Sequence, residues 1–141
     1  GAPAEFPGSP GKIITGGSNM KAFYKWTELE AELITPKYST AFGPNLKVET
    51  MEVGLFTYPA NTQAKEHAHP NEQVMVVLKG RGKWKVGDEE KVLGPGELVY
   101  MKPQVPHSLQ ALDEELQIIN CKSVVAGWSV KHARWENEPE K

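Results

Sequence analysis

A chain of 141 residues, 39% hydrophobic and 24% charged, has the size and composition of one soluble globular domain with one substantial core. Its net charge of −2 gives no electrostatic basis for binding nucleic acid or an anionic membrane surface. The single cysteine, Cys121, cannot close an internal disulfide, and no apolar run approaches membrane-spanning length, so a cytoplasmic location is expected.

The first stretch, GAPAEFPGSPGKIITGGSN, is rich in Gly, Pro and Ser and has no hydrophobic period. Residues 1–19 therefore read as an expression scar or linker, and residues 20–141 as one domain. KWTELEAEL predicts a short helical turn. NLKVETMEVGLFTYP alternates, with Met51, Val53 and Leu55 on one face and Glu52 on the other. EQVMVVLKG is a strand ending at Gly80, and GKWKVGDEEKVL is a hairpin turning at Gly87-Asp88. GELVYM, HSLQAL and ELQIINCKSVV complete the series. Short strands at this spacing, punctuated by Gly and Pro, predict an all-β antiparallel barrel or sandwich with little helix.

The histidines carry the chemistry. Four are present, and two stand in HAHPNEQ, residues 67–73. Residues two apart on a strand share a face. His67 and His69 therefore project together, and Gln73, Met75 and Val77 keep the same parity beyond Pro70-Asn71. If Met75 and Val77 face the interior, so do both histidines and the glutamine. A third imidazole, His107 in MKPQVPH, would complete a transition-metal site. His-x-His alone is too short and common a pattern to establish one.

The spacing around it is longer than that. Asn61, His67, His69, Gln73 and Gly80 stand at the intervals of the first motif of the cupin superfamily. In that motif a glycine is followed after five residues by His-x-His, after three more by glutamate, and after six more by glycine. Asn61 replaces the first glycine, and asparagine also tolerates the left-handed backbone of a tight turn. Gly96, Lys102-Pro103-Gln104, His107 and Ala111 stand in register with the second motif. There the glycine and histidine remain, while Lys102, Gln104 and Ala111 replace proline, glycine and asparagine. The chain thus resembles a small cupin over residues 61–111, which implies a single antiparallel jelly-roll barrel.

The resemblance further implies that His67, His69, Gln73 and His107 hold one divalent transition metal per chain: Fe, Mn, Ni or Zn. Many cupins have glutamate where this chain has Gln73; Glu72, of opposite parity, does not substitute for it. A glutamine there resembles the pectin-pathway cupins that linearise unsaturated ketouronates, cupin hydroxynitrile lyases, and small polyketide-cyclase cupins. In the pectin-pathway group an acidic base lies on the strand after the second motif, and the matching position here is Asn120. Asparagine hydrogen-bonds but cannot take up a proton at neutral pH. Asn120 is therefore expected to contact substrate, and ketouronate linearisation is not expected.

Three classes of function compete. A redox-neutral enzyme would use the ion as a Lewis acid on a small carbonyl or polyhydroxylated substrate, in isomerisation, ring opening, cyclisation or lyase chemistry. An Fe(II) dioxygenase would use the same ligands with oxygen at an open position. A non-catalytic cupin would bind a sugar or metabolite. Charge favours the first: three imidazoles and an amide leave a divalent ion its full positive charge, where a glutamate would offset it. Val74, Val76 and Leu78 point away from the ligand face yet are apolar, so a cover such as a second subunit, or a strand near Trp26, is expected. The partners expected are thus a small-molecule substrate and a second copy, with no nucleic acid and no membrane. Cys121 reads as a small buried residue, His132 as structural or exposed, and Trp84, Trp128 and Trp135 as packing residues.

Overall fold

The computed structural model describes residues 20–138; the segment 1–19, expected to be a scar or linker, and residues 139–141 lie outside the described residues. The helical propensity of KWTELEAEL yields a single 3-10 turn, Trp26–Glu28, so no strand forms at Trp26. Every strand pairing after it is antiparallel. A six-stranded sheet runs in the order β1 (Ala31–Leu33), β2 (Phe42–Lys47), β3 (Met51–Tyr58), β10 (Leu116–Ser123), β5 (Gln73–Lys79), β8 (Leu98–Met101). A four-stranded sheet runs β4 (Gln63–His67), β9 (His107–Ala111), β6 (Gly82–Val86), β7 (Glu89–Leu93). Trp128–Ser129 (β11) and Arg134–Trp135 (β12) pair near the end of the described chain, with the two indoles edge to face at 5.2 Å. No helix among the described residues is long and apolar enough to cross a membrane.

The two large sheets enclose one core, because alternate residues of each strand turn inward. Phe56 and Tyr58 of β3, Met75 and Val77 of β5, and Leu116 and Ile118 of β10 meet Trp84 and Leu109 of the facing sheet. Side chains of this size each contribute about 1.5–3 kcal/mol when taken out of water. Trp84 satisfies its indole N–H on the Met75 sulfur at 3.4 Å, which suits a buried indole. The β6–β7 hairpin turns at Gly87-Asp88 as its sequence predicts. Gly80, at φ 77°, is required where β5 ends: a Cβ there would lie 2.2 Å from the Glu115 carbonyl oxygen.

On β3, Met51, Val53 and Leu55 share one face and Glu52 lies on the other, as expected; the apolar row is the outer one, while Glu52, Gly54, Phe56 and Tyr58 turn inward. One expectation is corrected. Cys121 is exposed and not buried, because β10 turns Leu116, Ile118, Asn120 and Lys122 inward and leaves Cys121 on the alternate face.

Candidate metal centre

The HAHPNEQ segment joins β4 to β5 across the mouth of the barrel. Along β4 the pairing to β9 runs Gln63–Gln110 and Ala64–Leu109, then slips by one residue so that His67 stands opposite His107. An extra residue in one strand is a β-bulge, and it re-aims the side chains beyond it. Here it turns His67 to the same side as the buried Ala64. The loop that follows is tied down at three points. The Gln104 N–H donates to the His69 carbonyl at 2.7 Å. The Asn71 side-chain amide donates to the Ser123 carbonyl at 2.8 Å, and the Glu72 N–H to the Ser123 hydroxyl at 2.8 Å.

His67, His69 and His107 converge, with one ligand nitrogen of each within 4.8 Å of the others. Backbone contacts fix two of the rings. His67 Nδ1 lies 2.6 Å from the Lys65 carbonyl oxygen, and His107 Nδ1 lies 2.9 Å from that of Val105. Each Nδ1–H donates, which leaves the Nε2 lone pair free as a metal ligand. Tyr38 stacks on His67, ring centroids 4.5 Å apart and nearly parallel at 9°.

Gln73 joins the histidines. Its Oε1 lies 3.0 Å from His69 Nε2, and its Nε2 donates to Asn120 Oδ1 at 2.5 Å. The second bond decides the orientation of the amide: with its nitrogen held by Asn120, its oxygen points at the imidazoles. Glu72 faces the opposite side, as parity requires, and accepts a hydrogen bond from the Tyr100 hydroxyl at 2.6 Å.

The donor set fits a divalent transition metal. His107 Nε2 is buried with no hydrogen-bond partner, an arrangement that costs free energy unless something else is bound. Donors 3.0 Å apart, as at Gln73 and His69, match adjacent corners of a coordination sphere with bonds of about 2.1 Å. The imidazoles are also held neutral, which metal ligation needs. Burial pushes His69 down to about 3, with Lys122 and the other two histidines adding to the effect, and pushes His107 down to about 4. Burial also lowers His67.

The centre opens into a cavity of about 30 Å³, walled by Phe56, Tyr58, Met75, Trp84 and Met101 and bearing Asn120 and Lys122 among its polar groups. That is roughly two waters' worth of space, so a ligand seated there without rearrangement is small. Lys122 and Tyr38 were not foreseen from sequence. Lys122 shares the parity of Asn120 and so carried a signal; Tyr38 lies far upstream and carried none. His132 is exposed and away from the centre, and Trp84 packs in the core.

A two-sheet barrel with three histidines converging at its mouth defines the class. The cupin-domain family model matches residues 54–120, and the chain belongs to the cupin superfamily. An uncharacterised protein of Streptomyces coelicolor is 32% identical over 100 residues, covering 71% of this chain and 92% of that one. Among solved structures, an RmlC-like cupin from Shewanella frigidimarina superposes with TM-score 0.66 at 20% identity, over 76% of this chain and 94% of that chain. The polyketide cyclase RemF from Streptomyces resistomycificus gives TM-score 0.64 at 18% identity, over 74% of this chain and 80% of that one. At these identities the two structures speak to the fold alone.

Proposed function

We propose that the chain is a metal-dependent enzyme of the glutamine-ligand type, carrying out redox-neutral lyase, isomerase or cyclase chemistry on a small carbonyl or polyhydroxylated substrate. One observation carries this reading: every donor aimed at the centre is neutral, and the fourth, Gln73, has its oxygen turned inward by Asn120. A divalent ion held by His67, His69, Gln73 and His107 would supply Lewis-acid polarisation of a carbonyl or hydroxyl oxygen. The protein does the rest. The backbone carbonyls of Lys65 and Val105 hold two imidazoles in one tautomer, and the apolar wall strengthens electrostatic interactions at the mouth by limiting water. That a cupin of the same fold is described as a polyketide cyclase supports cyclisation as one member of this class.

The test is elemental analysis of protein purified without added metal, followed by turnover and oxygen-uptake assays on small diketones and hydroxy-ketones. One equivalent of metal is expected, lost in His67→Ala and in His107→Ala. Gln73→Glu should keep the metal while turnover falls. Full occupancy in either alanine variant refutes the ligand set; oxygen consumed in step with product refutes redox-neutral chemistry in favour of a dioxygenase.

A further inference from the structure

The inward row of β10 ends in a lysine. Lys122 is 7% exposed, lines the same cavity as His67 and His107, and stands opposite Gln73 in the β10–β5 ladder. Among the described residues no carboxylate comes within ion-pair distance of it. Its nearest compensation is Glu52, directly opposite on β3 and also buried, whose carboxylate instead accepts a hydrogen bond from the Asn45 amide at 2.8 Å. A buried cation is rarely left without a close partner, because taking it out of water costs several kcal/mol. Burial works against the charged form of Lys122, and Glu52 works for it.

We propose that Lys122 is the receptor for an anionic group, so that the substrate is a small carboxylic acid with a carbonyl or hydroxyl beside its carboxylate. This rests on the metal-centre reading above and narrows its substrate class. With neutral imidazoles and a neutral amide around a divalent ion, and an ammonium on the same wall, the cavity has a surplus of positive charge that Glu52 offsets only in part. An anion is what balances it. The carboxylate would face Lys122, and the neighbouring oxygen would face the three imidazoles. The small cavity favours a compact acid over a long one.

The probes are glycolate and its uncharged counterpart glycolamide, titrated calorimetrically into metal-loaded protein. Lys122→Met should weaken glycolate about tenfold or more, the size of one lost hydrogen bond to a charged group, and leave glycolamide and metal content unchanged. Because that variant strands Glu52 in the interior, the double variant Lys122→Met/Glu52→Gln removes both charges together and should behave alike. Unchanged glycolate affinity in both lysine variants overturns the proposal. Chelator-stripped protein separates the two readings: it should still bind glycolate weakly, in a manner that Lys122→Met abolishes. Absence of metal from the unaltered protein would refute the metal centre alone, whereas stripped protein binding glycolate equally with and without Lys122 would refute the anion receptor alone.

Discussion

Asn120 shows how much one hydrogen bond can decide. A glutamine amide presents either oxygen or nitrogen, and only the oxygen can bind a metal. Replacing Asn120 by leucine removes the acceptor, leaves a buried N–H unsatisfied at a cost of about 1–3 kcal/mol, and frees the amide to turn over. Metal affinity should fall about 10–100-fold in competition with a chromophoric chelator, while Asn120→Asp, which keeps an acceptor, retains it. Equal affinity in all three proteins would show that Gln73 needs no such support. The three histidines and Gln73 were legible because ligand spacing is a property of the chain itself. The Asn120–Gln73 bond was not, since it joins residues 47 apart in sequence. Lys122 was half legible: parity put it on the Asn120 face, but a lysine at a strand end ordinarily snorkels to solvent.

At the scale of strands and turns, two departures from regularity build the site. The bulge on β4 is the first; counting parity from Ala64 alone would have turned His67 outward, and no residue type in QAKEH announces the slip. The second is the turn before β9, where Gln104 sits at φ 65° in the position at which the second cupin motif has glycine. The strain there is traded for the Gln104 N–H bond to the His69 carbonyl, which anchors a ligand-bearing loop. Its side chain is exposed, so Gln104→Gly should relieve the strain without losing a contact. Stabilisation of about 0.5–1 kcal/mol is expected, read as a higher urea midpoint at unchanged slope. An unchanged or lower midpoint would mean that the turn holds no strain. Asn61, at φ 62°, meets the expectation drawn from its sequence. The strands and hairpin were readable because alternation is local; which face of β3 turned inward was not, since its apolar row lies outside.

Over the whole molecule the two sheets differ on their outer faces. The four-stranded sheet shows Lys65, Lys83 and Lys85 to solvent. The six-stranded sheet shows two uncharged rows running across four strands: Leu55, Ile119, Val76, Leu98, and Val53, Cys121, Val74, Tyr100. Leu98 and Tyr100 are 60% and 48% exposed. Rows without charge, with Glu72 beside Tyr100 at their edge, match the same rows on a partner, and a second copy brings them by two-fold symmetry. We therefore expect a homodimer: light scattering at micromolar concentration should give twice the 15.6 kDa chain mass, with Cys121 slow to react with a thiol reagent. Leu98→Glu should give monomers with a fast-reacting thiol; a monomer mass for the unaltered protein would refute the dimer. The place of β10 between β3 and β5 also bears on how the chain comes to life during synthesis. Met51 pairs with Ser123, and Ser123 in turn anchors the loop that carries His69. Until that last long strand emerges from the ribosome, β3 and β5 each expose an open edge, and of the three ties on the ligand loop only the Gln104 bond to His69 can form. The ligand loop is thus fully held only once β10 is in place, so an ion bound at full affinity would certify a finished barrel.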